Sequence, residues 1–173
     1  MLWNLSDVFS SEGKVEEAEF SIDMTAFESG RGTFPIVEKT PIKLRAVNDG
    51  KGRALLQGRA AITQQMCCDR CLKEVPVVIE LDITRKIASP EALSEDDDTD
   101  CMDDYQFQVN IETLVYNELL MNQPEKVLCK PDCKGICPVC GRDLNEGECG
   151  CDTFVPDPRF AVLQDIFDAN KEV

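Results

Sequence analysis

The chain has 173 residues, of which 18 are basic, 33 are acidic and none is histidine, so its formal net charge is −15. This charge excludes non-specific condensation on nucleic acid, and any contact with RNA must be local. The lack of histidine excludes imidazole metal ligands and imidazole acid–base catalysis, and no apolar run approaches the roughly 20 residues that cross a bilayer.

Alternating apolar and polar residues predict antiparallel strands in the first half of the chain. The pattern occurs over residues 18–24, 42–46 and 77–83. Residues 48–52 have the composition of a tight turn, and residues 54–63 follow as the partner strand of a hairpin. We expect these strands to form an antiparallel, barrel-like sheet.

Two helices are predicted in the second half of the chain. Asn110 is a favourable N-cap for a helix that extends to Asn122 and carries one apolar stripe. Asp157 begins a second helix, with Pro158 at its first position and another apolar stripe along it.

The predicted fold class is α+β: an antiparallel sheet with two helices and a C-terminal cysteine-rich zinc-binding lobe. Residues 1–88 form a mainly β core domain that includes the first cysteine pair. Residues 89–104 are an acidic linker, because they combine a run of carboxylates with few large apolar side chains. Residues 105–173 contain both helices and the cysteine-rich lobe, and we expect the C-terminal helix to pack on the core.

Eight of the ten cysteines form four close pairs, each with one to three residues between its members. At this spacing a tight turn directs two thiolates towards one metal ion, and Gly141 offers the positive φ that such a turn commonly needs. The N-terminal residues lack the features of a signal peptide, so we expect a reducing cytoplasm, where clustered cysteines bind metal more often than they form disulfides. The pairs are Cys68 with Cys71, Cys129 with Cys133, Cys137 with Cys140, and Cys149 with Cys151.

Four pairs suffice for two tetrahedral four-thiolate sites, and zinc is the favoured metal. The third and fourth pairs are close enough in sequence to close one knuckle locally, which leaves the first and second pairs for the other site. A single site is the alternative, built from Cys133, Cys137, Cys140 and one of Cys149 or Cys151. An iron–sulfur centre and a metal-free lobe also remain open.

Basic residues accompany the cysteines and are the candidates for contact with RNA or another partner. We favour the interpretation that they lower thiol pKa values and offset the charge of the thiolates, with a phosphate-binding patch as the alternative. No catalytic residues are identified, because a closed four-thiolate site leaves no open coordination position. The candidates are Arg70, Lys73, Lys130, Lys134 and Arg142.

Three separated motifs resemble one family. The segment Cys68-Asp69-Arg70-Cys71-Leu72, the run from Cys133 to Asn145 and the run from Asp157 to Leu163 are together similar to the YceD family, the large ribosomal RNA subunit accumulation proteins.

The resemblance implies a cytoplasmic, non-enzymatic role in accumulation or processing of large-subunit ribosomal RNA and in assembly of the large subunit. It implies a large-subunit ribosomal protein or a large-subunit rRNA precursor as partner, with no membrane and no small-molecule substrate. A thiol and zinc redox sensor, in which Cys67 or Cys101 is reactive, is the alternative function.

Overall fold

The computed structural model of the chain describes residues 1–89, 92, 102–103 and 107–152. The chain divides into two compact units, which are described separately. Unit 1 comprises Met1–Cys67 and Glu74–Val127, and unit 2 comprises Cys68–Lys73 and Leu128–Val173.

The helices and strands of the described residues all lie in unit 1, and most of the strands are antiparallel partners in one sheet. In chain order they are β1 (Leu2–Asn4), α1 (Ser6–Phe9), β2 (Val15–Phe20), β3 (Ala26–Ser29), β4 (Gly32–Lys39), β5 (Ile42–Gly50), β6 (Arg53–Cys67), β7 (Glu74–Ala88), β8 (Met102–Asp103), β9 (Gln108–Asn110) and α2 (Ile111–Met121).

The long strand β6 organises the main sheet. β5 pairs with its N-terminal half and β4 with its C-terminal half, while β7 pairs with it from Arg53 to Cys67. β2 then pairs with β5, and β3 with β4, so the strand order is β2-β5-β6-β4-β3 with β7 beside β6. β1, β9 and β8 form a small second sheet.

The predicted strands are largely confirmed. β5 and β6 form the expected hairpin, in which Asn48 pairs with Ala54. The alternation at 77–83 lies within β7. The strand predicted at residues 18–24 lies earlier in the chain than expected. The observed strand, β2, begins at Val15 and ends at Phe20.

The barrel-like arrangement is wrong. Among the described strands, β2 pairs only with β5 and β3 pairs only with β4, so the sheet stays open. Period-two patterning predicts which side chains of a strand are buried, whereas closure of a barrel requires its edge strands to pair with each other.

The hydrophobic core covers one face of the sheet. Alternate residues of the central strands are buried there, among them Leu44, Leu56 and Leu81, and α2 adds Leu114 and Leu119 to the same cluster. The opposite face carries charged side chains that pair across neighbouring strands, as in the 3.4 Å ion pair of Arg45 with Glu17 and the 3.6 Å pair of Arg59 with Asp82. The one-sided core therefore follows from the alternation in the sequence.

The predicted helix at residues 110–122 is confirmed as α2. The Asn110 side chain accepts hydrogen bonds from the backbone N–H groups of Glu112 and Thr113, at 3.1 and 3.3 Å, and so caps the first turn. The predicted C-terminal helix lies outside the described residues, as does most of the acidic linker. The four-residue helix α1 was not predicted.

Neither helix in the described part of the chain has the length and apolar content that a bilayer crossing requires.

Candidate metal centres

Unit 2 brings eight cysteines together in two groups, each with its four sulfur atoms within 4.8 Å of one another. The grouping is the two-site arrangement favoured from the sequence, and it differs from the single-site alternative. The first quartet contains Cys68, Cys71, Cys129 and Cys133, and the second quartet contains Cys137, Cys140, Cys149 and Cys151.

The sulfur spacing of the first quartet fits a tetrahedral metal ion. The Sγ atoms of Cys68 and Cys133 are 3.8 Å apart, and those of Cys71 and Cys129 are 3.5 Å apart. Four thiolates at about 2.3 Å from a zinc ion would be separated by about 3.8 Å, whereas a disulfide needs about 2.05 Å. Each quartet could therefore hold a metal ion.

The two quartets differ in their exposure to solvent. In the first, Cys129 is exposed and its three partners are buried. In the second, only Cys137 is buried, Cys140 is exposed, and the Cys149 and Cys151 side chains are half-buried. Solvent and solutes can therefore reach the second quartet more easily.

The Cys68–Lys73 and Cys137–Arg142 turns are built alike. In the first, Cys68 N–H donates to the Lys73 carbonyl at 2.8 Å and Leu72 N–H donates to the Cys68 carbonyl at 2.9 Å. In the second, Cys137 N–H donates to the Arg142 carbonyl at 2.8 Å and Gly141 N–H donates to the Cys137 carbonyl at 2.8 Å. Each turn therefore presents a pair of thiols to one centre.

Backbone amides in these turns favour the thiolate form of the leading cysteine. Burial raises the pKa of the Cys68 thiol, but the N–H groups of Cys71, Arg70 and Cys129 outweigh burial and lower that pKa to about 6. The N–H groups of Cys140 and Val139 likewise lower the pKa of Cys137 to about 6. Both turns thus stabilise the charge state that binds metal.

Crowding has the opposite effect on other members of each quartet. Hydrogen bonding with the Cys71 thiol raises the pKa of Cys129 to about 12, and hydrogen bonding with the Cys140 and Cys149 thiols raises the pKa of Cys151 to about 12. Four thiols this close cannot all ionise unless a cation offsets their charge. The arrangement therefore fits a divalent metal ion.

A polar network braces the first quartet. The Asn145 side-chain amide donates to Cys133 Sγ at 3.4 Å and to Asp143 Oδ1 at 2.7 Å, and Asn145 Oδ1 accepts from Lys134 N–H at 2.9 Å. Second-sphere groups of this kind orient metal ligands. Asn145 and Asp143 lie within the second motif but are not among the predicted site residues, because no local spacing marks such contacts.

Among the described residues, two of the five basic candidates make side-chain contacts inside unit 2. Arg70 Nη1 donates to the Cys133 carbonyl at 2.7 Å. Lys73 Nζ lies 2.7 Å from Asp143 Oδ2 and 3.3 Å from Glu146 Oε1, and this lysine lowers the pKa of Asp143 to about 2. The other three, Lys130, Lys134 and Arg142, have exposed side chains.

Gly135 marks a close approach between the two segments of unit 2. Its φ is 81°, and a Cβ atom at this position would lie 2.9 Å from the Arg70 carbonyl oxygen, to which Ile136 N–H is hydrogen bonded at 3.1 Å. We expect Gly135→Ala to lower the chelator concentration that releases half of the bound metal, because the Cys68–Lys73 turn must shift. Zinc release to a colorimetric chelator measures this.

Gly141→Ala is the matched control. Gly141 has a φ of 73° but no atom within 4 Å of the Cβ position, so alanine there adds only conformational strain of about 1 to 2 kcal/mol. If both variants release metal alike, the close approach at Gly135 is unimportant.

A sequence model of the family described as "Large ribosomal RNA subunit accumulation protein YceD" matches residues 56–167. The chain is also similar to uncharacterized proteins of Mycobacterium bovis and Mycobacterium tuberculosis, with 27% identity over 129 residues. That alignment covers 72% of this chain and 59% of each relative, so the chain spans less than two thirds of their length. No solved structure matches it.

The family match includes all eight cysteines of the two quartets and about two thirds of the chain. The description names accumulation of an RNA and no chemical reaction. The chain therefore belongs to the YceD family of large ribosomal RNA subunit accumulation proteins.

Proposed function

We propose that this chain is a cytoplasmic, zinc-dependent factor for accumulation of large-subunit ribosomal RNA and assembly of the large ribosomal subunit. The observation that carries the proposal is the family match, which contains both quartets. In this role unit 2 is a binding module and not a catalyst. Four thiolates per ion leave no open position for a water or substrate ligand.

Zinc suits the donor set of each quartet. Cysteine thiolates in tetrahedral groups of four are typical of structural zinc sites, and the 3.5 and 3.8 Å sulfur distances of the first quartet agree with zinc–sulfur bonds. When bound, zinc supplies a charge that lets all four thiols ionise. Backbone hydrogen bonds of the chain hold the two turns. The backbone amides that face Cys68 and Cys137 stabilise the thiolates of those two residues.

A large-subunit ribosomal protein or an rRNA precursor is the proposed partner. With a net charge of −15, the chain attracts a strongly cationic protein over long distances and accelerates their encounter. Contact with RNA would depend on exposed basic side chains such as Lys130, Lys134 and Arg142.

Depletion in cells tests this function. We expect loss of the chain to lower the ratio of large to small ribosomal subunits in sucrose gradients. Wild-type protein and Cys67→Ser should restore the ratio, because Cys67 belongs to neither quartet, whereas Cys133→Ser should not. A normal ratio in depleted cells would contradict the proposal.

Redox sensing is a second candidate, supported by the exposure of Cys140 in the second quartet. Two thiolates of the second quartet would form a disulfide, and their two electrons with two protons would reduce one hydrogen peroxide molecule to two waters. The quartet would then release its zinc ion. If mild peroxide releases one metal ion and reversibly changes ribosome binding, this function is supported. Retention of both ions rejects it.

A further inference from the structure

Leu72 has an unusual combination of backbone conformation and exposure. It follows Cys71 in the first turn with a φ of 60°, and its side chain is 63% exposed. A left-handed conformation is unfavourable for a residue with a Cβ atom, and solvation of a leucine side chain is also unfavourable.

The second turn provides an internal comparison. Gly141 occupies the position equivalent to Leu72, with the same two backbone hydrogen bonds around it and a φ of 73°. Glycine adopts this conformation without strain. The backbone of the first turn would therefore accept glycine at position 72.

Neither the turn nor the hydrophobic core of the described structure accounts for leucine at this position. We propose that Leu72 is the apolar anchor of a docking surface on unit 2 that binds a cationic protein of the large ribosomal subunit. This proposal rests on the proposed function and identifies the class of its partner. Backbone strain retained at an exposed position is typical of functional sites.

Net charge favours a protein partner over RNA. At −15 the chain as a whole repels a phosphate backbone. Two of the cations nearest to Leu72 in sequence are engaged within the unit, Arg70 by the Cys133 carbonyl and Lys73 by two carboxylates.

Charge also selects the partner. Each quartet carries a local negative charge even with a divalent ion bound, because four thiolates outweigh it, and the whole chain is strongly acidic. An apolar side chain on a chain of this net charge fits a cationic protein with a small apolar pocket. At many interfaces a few residues that become fully buried contribute most of the binding free energy.

Leu72→Gly separates docking from stability. We expect this variant to bind both metal ions and to unfold at a temperature no lower than that of the wild type, since strain is removed. Its affinity for salt-washed large-subunit precursor particles, taken from depleted cells, should fall about tenfold or more in co-sedimentation. Leu72→Met retains an apolar side chain and should bind nearly as well as the wild type.

Val78→Thr is the matched control. Val78 lies in β7 of unit 1 with a side chain that is 61% exposed, similar to that of Leu72, and threonine preserves its shape. We expect unchanged binding. If Val78→Thr weakens binding as much as Leu72→Gly, or if Leu72→Gly binds like the wild type, the docking surface is wrong. If the wild type does not co-sediment, the proposed function fails and the docking surface fails with it.

A photo-crosslinking residue at position 72 distinguishes protein from RNA. In the same particles we expect a protein adduct that survives ribonuclease treatment and is absent when the crosslinker is placed at position 78. A ribonuclease-sensitive adduct, or no adduct at position 72, would overturn the assignment. In those two cases co-sedimentation of the wild type would still support the proposed function.

Discussion

Removing metal from the purified chain is expected to unfold unit 2 while the sheet of unit 1 stays folded. The described part of unit 2 has one isolated β-bridge, Ile136 with Asp143, and its buried side chains are chiefly cysteines. Binding of zinc to such sites is worth roughly 10 to 16 kcal/mol, which no other contact among the described residues of this unit replaces. Hydrogen exchange resolved by segment, with and without a strong chelator, measures the loss.

Two variants are matched for this experiment. Cys133→Ser removes a member of the first quartet, and Cys67→Ser changes a cysteine that belongs to neither quartet. Metal analysis should find two zinc ions in wild type and in Cys67→Ser, and one in Cys133→Ser, whose first quartet lacks a ligand. Thiol titration of the wild-type protein should find two reactive thiols, Cys67 and Cys101, because the two proposed zinc sites use eight of the ten cysteines. Unchanged protection of residues 128–152 under chelation would contradict the prediction.

Glu118→Ala is expected to destabilise unit 1 by about 3 kcal/mol. Glu118 is only 5% exposed, and its Oε1 accepts from Arg85 Nε at 2.8 Å and from Arg85 Nη2 at 2.7 Å. The substitution removes the carboxylate from a partly buried guanidinium and leaves its charge without this partner. Urea unfolding monitored by circular dichroism measures the change.

Glu112→Ala is the control on the same helix. Its carboxylate lies 3.6 Å from the N-terminal amine in an exposed ion pair, and such pairs contribute less than about 1 kcal/mol. If Glu118→Ala costs no more than Glu112→Ala, the Arg85 contact does not stabilise the packing of α2 on β7.

Local patterns predicted the elements whose environment is regular along the chain. β7 alternates between core and solvent over its middle residues, and α2 has both a cap at Asn110 and a buried stripe. β3 and β4 were missed because Pro35 and two nearby glycines interrupt their alternation, and proline within a run argues against a strand. These strands form because pairing with each other and with β6 outweighs weak local preference.

The open sheet shows a second limit of local pattern. β4 and β5 contact successive halves of the same strand, β6, and this arrangement depends on the lengths of the strands and the path of the turns between them. Alternation at Ile42, Leu44 and Ala46 is the same in an open sheet and in a closed barrel. Closure therefore could not be inferred from it.

The sequence by itself determined that paired thiols occur on tight turns, because one to three intervening residues dictate that local geometry, and Gly141 favours it after Cys140. The sequence also contains the three motifs that resemble the YceD family. Only the tertiary structure decided that Cys68 and Cys71 join Cys129 and Cys133, since residues about 60 positions apart meet through the path of the whole chain. The exposure and left-handed backbone of Leu72 were likewise decided there, because both depend on neighbours that spacing does not encode.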